Sequence, residues 1–279
     1  MAFRGDGSRL ALGSAGRDLA IWDLSTPRRP VRMTALRWDG GIAAAAWNPA
    51  AVALLATISA DGGVATWRVV DDRPPQLIGT TPDARDRPQH LAWLSGGKQL
   101  FSSTTLGRVT VWDADGTPLA HRGRTVEGLV VAAYGWAAAT VLVTHLGHVE
   151  MWNPATQMAK ARVLPGRVVA SAHSGSLLAV AYDNEWIEII DHELERIAIV
   201  RHSWPPPVAL AFAPDSRSLV MATADGSLAV VGDDQSIWWQ RPGDGSAPTG
   251  LAVASGRLAV VGPDETVTVL DLRSGDMAQ

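Results

Sequence analysis

At 279 residues and 47% hydrophobic, the chain has enough apolar material for one large domain or two modest ones, and its internal repetition has to decide between them. A formal net charge of −4 offers nucleic acid or an anionic membrane no general attraction. With no cysteine, disulfides, thiolate metal sites and cysteine nucleophiles are excluded together.

The chain starts Met1-Ala2-Phe3-Arg4-Gly5-Asp6-Gly7, without an apolar stretch behind a basic start, so no signal peptide is read and the cytoplasm is the expected compartment. Lysine occurs only at Lys98 and Lys160 against a background of arginine, which points to a GC-rich bacterial genome.

Two patterns then recur in chain order. A small residue followed by a larger one closes an apolar run at Ala2-Phe3, Ala46-Trp47, Ala92-Trp93, Ala133-Tyr134, Ala172-His173, Ala211-Phe212 and Ala252-Val253, roughly 39 to 46 residues apart. Interleaved with these, a run ends in a bulky residue and a polar or small one at Trp22-Asp23, Trp67-Arg68, Trp112-Asp113, Trp152-Asn153, Ile190-Asp191, Val231-Gly232 and Leu270-Asp271. Seven copies in each of two registers predict seven repeats, at approximately 1–41, 42–89, 90–127, 128–167, 168–206, 207–248 and 249–279, within a single domain spanning 1–279.

Inside each repeat, Gly, Pro, Asp and Asn cut the chain into runs too short for helices and rich in Val, Ile, Leu and Trp, which predicts four antiparallel strands, a to d. In the second repeat, Ile42 to Trp47 is apolar at odd and even positions alike, which predicts a strand covered on both faces. In the fourth, Leu129 to Val143 is too short to span a bilayer and is interrupted by Gly135, so it reads as two buried strands and a turn. The sixth gives the clearest set: Val208 to Phe212 as a, Ser218 to Ala222 as b, Ser227 to Val231 as c and Ser236 to Gln240 as d, with turns at Pro214-Asp215 and Asp225-Gly226. In the seventh, Asp276 to Gln279 scarcely begins a strand d, and Met1 to Arg4 is only the tail of a first strand a, so the closing blade is expected to be incomplete and the chain to be part of a longer protein.

The strand ending in Trp-Asp after a turn aspartate (Asp18 before Trp22-Asp23, Asp61 before Trp67, Asp225 before Val231) resembles the WD-repeat family, as do Ala46-Trp47-Asn48-Pro49 and Ala211-Phe212-Ala213-Pro214-Asp215. The resemblance implies an all-β, seven-bladed β-propeller of four-stranded antiparallel blades. It departs from the family in lacking the Gly-His pair before strand a; Gly147-His148, the sole Gly-His, falls in a b–c turn. The usual buried His, Asp, Ser and Trp network is therefore expected to be broken.

Chemistry is thinly represented. The inner strands offer Ala43, Ala45, Val130, Ala132, Val208 and Leu210, none able to bind a metal or move a proton, and His90 and His173 have no evident partner there. His145 and His148 flank a Leu146-Gly147 turn and read as a polar hairpin tip rather than a metal site. No phosphate-binding glycine loop and no nucleophile elbow occurs, and Asp71-Asp72 and Asp233-Asp234 read as turn residues. No cofactor, metal or catalytic residue is therefore assigned.

The d–a and b–c loops, the recognition rim that the resemblance implies, carry Arg and Trp, the residue types that dominate interface energies. Trp38, Arg85, Arg87, Arg124, Arg167, Trp204, Trp238 and Arg241 are the candidate partner-binding residues. Trp204 precedes Pro205-Pro206-Pro207, which cannot continue a sheet, and Trp238 and Trp239 should point to opposite faces of strand d. The expected function is a non-enzymatic protein-interaction or sensing module with a protein or peptide partner, neither nucleic acid nor membrane, working beside an upstream catalytic domain. A small-molecule or metal-using propeller enzyme is the alternative.

Overall fold

The computed structural model describes residues 2–13, 18–26, 30–37, 41–51, 53–59, 62–70, 73–81, 89–94, 96–123, 126–184, 186–213, 218–232, 236–264 and 266–277. All regular structure among them is strand. The chain divides into two compact units, Met1–Ser25 with Pro30–Leu164 and Thr26–Arg29 with Pro165–Gln279.

The first unit holds four sheets, each a meander in chain order. They are β1 (Ala2–Phe3), β2 (Arg9–Gly13), β3 (Asp18–Asp23) and β4 (Val31–Arg37); β5 (Ile42–Trp47), β6 (Leu54–Ser59), β7 (Val64–Arg68) and β8 (Gln76–Thr81); β9 (His90–Trp93), β10 (Gln99–Ser103), β11 (Val109–Asp113) and β12 (Pro118–Arg122); and β13 (Val130–Trp136), β14 (Ala139–Thr144), β15 (His148–Trp152) and β16 (Ala159–Val163). The stretch from Leu129 to Val143 is the expected pair of strands, β13 and β14.

The second unit holds three more: β17 (Val168–Ser174), β18 (Leu177–Tyr182), β19 (Trp186–Ile190) and β20 (Arg196–Arg201); β21 (Pro207–Phe212), β22 (Ser218–Thr223), β23 (Leu228–Gly232) and β24 (Ile237–Arg241); and β25 (Gly250–Ala254), β26 (Arg257–Val261) and β27 (Val267–Asp271). The seventh sheet has three strands among the described residues, with one isolated bridge from Leu270 to Met277 on its outer side.

Aspartate and asparagine side chains build the turns. Asp6, Asp23, Asn153, Asp191, Asp225, Asp244, Asp264 and Asp271 each accept the backbone N–H two residues on, which folds the chain back without a helix. Three of these carboxylates resist protonation for this reason. Asp6 falls to about 2, chiefly through its bond from Arg4, while Asp225 and Asp264 are lowered mainly by Thr223 and Thr266.

Within each unit the core lies between consecutive sheets. One apolar cluster joins Ile21 and Leu36 of the first sheet to Trp47 and Trp67 of the second, and another joins Phe101 and Val111 of the third to Leu142 and Trp152 of the fourth. The small-then-large register of the sequence acquires a reason here. Trp47 Nε1 donates to the carbonyl of Ala2 at 3.2 Å, and Trp93 Nε1 to that of Ala46 at 2.9 Å, so the large residue of one repeat reaches the small residue of the repeat before it.

The Trp that ends strand c is satisfied only where strand b supplies a hydroxyl. Trp67 donates to Thr57 at 2.8 Å and Trp112 to Ser102 at 2.9 Å, each acceptor lying on the neighbouring strand two positions back in register. In the first and fourth sheets the same register position holds Leu12 and Leu142, and the indole nitrogens of Trp22 and Trp152 have no hydrogen-bond partner among the described residues. Part of the network therefore survives without the Gly-His pair.

One expectation needs correction. Strand a is not the strand covered on both faces: Ala43 in β5 and Val208 in β21 are exposed, whereas β14 and β22 are buried at every residue. Strand a is an edge of its sheet, while strand b has a paired strand on either side and a packed sheet face as well. A register shift at Ile42/Ala44, Val130/Ala132, Val168/Ala170 and Pro207/Ala209 turns the intervening residue outward in four of the seven sheets. Uniform hydrophobicity in strand a reflects small alanines along this edge.

Candidate interaction surface

Four of the eight predicted contact residues, Trp38, Arg85, Arg87 and Arg124, lie outside the described residues, as do Asp61, Asp71-Asp72, Pro214-Asp215 and Asp233-Asp234. The other four, Arg167, Trp204, Trp238 and Arg241, belong to the second unit.

Arg167 is exposed immediately before β17, and its carbonyl accepts the N–H of Asp183 at 3.1 Å, which ties the b–c turn to the start of strand a. Trp204 follows β20 at the same end of its sheet. It is half-buried, stacks on His202 at 6.1 Å and packs against a cluster that includes Leu210 and Phe212, so part of its indole anchors the loop. Arg241 ends β24 opposite Leu228, at the end of the sixth sheet where β21 begins.

Trp238 is not with them. It occupies the register shift between Val230↔Trp239 and Val231↔Ile237, toward the c–d turn at the other end of the sheet, and is 45% exposed. Trp239 points the opposite way and donates its indole N–H to the Leu272 carbonyl at 2.7 Å, as alternation along a strand requires. The sixth sheet thus exposes one tryptophan and spends the other on packing.

In the first unit, the b–c and d–a loops present a feature that reading for Arg and Trp passed over. Leu106, Leu129 and Leu146 are 50%, 52% and 54% exposed on three neighbouring segments. Those segments are laced together: Val130 N–H donates to the Thr105 carbonyl at 2.7 Å, His145 N–H to the Leu129 carbonyl at 3.0 Å, and Leu129 N–H to His145 Nδ1 at 3.0 Å. Added at Gly128, a Cβ would lie 3.1 Å from the Leu146 side chain. Leucine inside a turn otherwise built of Gly, Thr and His was the signal available in the sequence.

Histidine chemistry is subdued. His145 is occupied by Leu129, which makes the hairpin tip a structural device. Among the described residues no group of three or more His, Asp or Glu side chains is placed to hold a metal ion. His90 and His173 are both pushed down, chiefly by burial, His173 to about 4.

The depressed His173 makes a prediction. Its folded form holds the imidazole neutral while the unfolded chain protonates near the ordinary histidine value, so its contribution is complete above about pH 6.5 and is lost as pH falls toward 4. The loss is on the order of 2 kcal/mol, allowing for partial exposure. Urea unfolding at pH 7 and pH 4.5 should show that fall, and His173→Gln should flatten it. An unchanged slope in the variant would remove His173 as its source.

Antiparallel meanders packed face to face within each unit define the class of fold, a seven-bladed β-propeller. It is similar to the crystal structure of the C-terminal WD40 domain of Sif2, with a TM-score of 0.74 and 16% sequence identity over 97% of this chain and 80% of that one. No family model matches the sequence.

Proposed function

We propose that the chain is a non-enzymatic protein-interaction module that captures its partner on the end of the sheets where strand a begins. The observation that carries this reading is the leucine patch of Leu106, Leu129 and Leu146. Large apolar side chains held half-exposed on hydrogen-bonded loops offer a partner contact area with little ordering cost. Arg167 and the exposed part of Trp204 present the same kind of end in the second unit, with the residue types that anchor interfaces. The partner is a protein or peptide; the net charge of −4 supports neither nucleic acid nor an anionic membrane. The module is read as cytoplasmic, sensing on behalf of a catalytic domain.

Exchanging Leu106, Leu129 and Leu146 for serine should reduce capture of the partner identified with the wild-type chain by at least about tenfold, with the thermal midpoint unchanged. Replacing Trp38, Arg87 and Trp204 tests the remaining loops in the same assay. Full capture by both variants would defeat the proposed face. A catalytic domain should co-purify with the chain from its native cytosol, and its absence would remove the regulatory part of the reading.

A further inference from the structure

Strand d can be compared position by position in different sheets, because it pairs with strand c in a shared register. Thr34 in β4, Gly79 in β8 and Trp239 in β24 each stand opposite the residue just before a register shift, namely Ile21, Thr66 and Val230. At Gly79 the c–d turn of the third sheet closes onto strand d, and a Cβ there would collide with the carbonyl oxygen of Asp115. At Trp239 the indole itself fills the corresponding space and donates to the Leu272 carbonyl at 2.7 Å.

Thr34 does neither. Its Cβ bars the backbone approach that glycine allows, and its side chain is too small to fill the space as tryptophan does. The c–d connection of the second sheet, residues 69–75, is also longer than that of the third, residues 114–117. A groove of about 630 Å³ is left between β4 and this connection. That volume falls within the roughly 300–1,000 Å³ of ligand sites. Ile21 and Val69 give it an apolar floor, and Val31 on β4 and Val70 on the connection are 58% and 44% exposed along its walls.

Each wall also carries a cation. Arg32 on β4 and Arg73 on the connection line the groove, are exposed and, among the described residues, form no ion pair. Asp23 is the one carboxylate among the described lining residues, and it is taken up by Arg9 at 2.6 Å and by the N–H and hydroxyl of Ser25. In the sequence of the two walls, Arg28, Arg29, Arg32 and Arg73 outnumber Asp71 and Asp72, so this part of an acidic chain is locally basic. An apolar floor between cations is complementary to an apolar side chain flanked by carboxylates.

We propose that the groove between the first and second sheets binds an extended acidic peptide, with its carboxylates on Arg32 and Arg73. In an extended chain alternate side chains point to opposite sides, so leucine-like residues settle on Ile21 and Val69 while the acidic residues between them meet the arginines at the rims. The groove lies at the c–d end of the sheets, whereas the leucine patch is built from b–c and d–a loops. The site rests on the interaction reading only in that its ligand is a peptide, and it uses none of the leucine patch.

The test titrates the full chain with a short capped, labelled peptide alternating leucine and glutamate, read by fluorescence anisotropy. Binding should weaken by at least about tenfold with glutamine in place of the glutamates, or with Arg32→Ala and Arg73→Ala together. Thr34→Trp, which fills the groove as Trp239 fills its counterpart, should weaken it as much while leaving both arginines in place. Arg32→Lys should retain part of the affinity, and circular dichroism checks that each variant is folded. Equal binding of the glutamine peptide, equal binding by the double arginine variant or by Thr34→Trp, or no binding by the wild-type chain would each overturn the proposal. So would succinate competing as strongly as the peptide, which would make the ligand a small acid, or phosphatidylserine vesicles displacing it through the same arginines, which would make the groove a membrane contact. Serine at Leu106, Leu129 and Leu146 should leave this binding intact, so either site can fail without the other.

Discussion

Replacing Gly135 with valine is expected to lower stability by about 3 kcal/mol. Gly135 lies within β13, next to the tyrosine of the small-then-large pair, against the backbone of Trp93 and Leu94 in and after β9. A Cβ at this position would stand 1.9 Å from the carbonyl oxygen of Trp93 and 2.8 Å from its carbonyl carbon. Those atoms are backbone, and the Trp93 side chain is itself tied to Ala46, so neither sheet can yield without disturbing the next. The whole cost therefore falls on the sheet-to-sheet spacing. Urea unfolding should show the shift, with a thermal midpoint lower by several degrees. Gly5, where an added Cβ meets nothing within 4 Å, supplies the control, and Gly5→Ala should remain within about 0.5 kcal/mol of wild type. A valine variant as stable as that control would show that the sheets are not in rigid contact at Gly135.

The second large effect is expected at Arg122. Glu150 is buried on strand c of the fourth sheet, and Arg122, on strand d of the third, meets it at 3.1 Å while covering the Trp152 ring. Arg122 Nε is poorly aligned for a hydrogen bond, so the contact is mainly ionic. Removing the arginine takes the guanidinium from the buried carboxylate and strips the tryptophan of its cover, for an expected loss of about 3 kcal/mol in Arg122→Ala. Replacing both partners with leucine should restore most of it, because two apolar groups can fill the same space with no charge to desolvate. A double-mutant cycle in urea separates the two effects. A loss below about 1 kcal/mol in Arg122→Ala, or no recovery in the double variant, would mean that the pair does not hold these sheets together.

Arg122 also shows where reading the sequence stopped. It stands two residues before Arg124, a candidate contact residue on the recognition rim, yet the structure makes it an internal tie between sheets. Arg241, from the same register position, forms no ion pair among the described residues, and the seventh sheet presents Thr268 where the fourth has Glu150. The two arginines cannot be told apart by residue type or by loop position. What separates them is a residue more than two dozen positions away on the next sheet. The same holds for tryptophan: Trp67 and Trp152 look alike in the repeat, but one finds Thr57 across the strand pair and the other finds Leu142.

The number of repeats and the strand order within each were legible along the chain, as was the turn at Asp225-Gly226. Those features follow from local chemistry: β-branched and apolar runs, glycine and aspartate at the reversals, and one small-then-large pair per repeat. Trp204 and Trp238 were legible as unusual aromatics in the same way. Their roles were not, because burial depends on which sheet packs beside them: Trp204 spends part of its indole on the core, Trp239 bonds Leu272, and Trp238 is left outside. Which strand is fully covered, which arginine is paired and which three leucines stay exposed on hydrogen-bonded loops were decided in the tertiary structure. Each of those outcomes depends on residues brought together across sheets, and a pattern read along the chain carries no record of that distance.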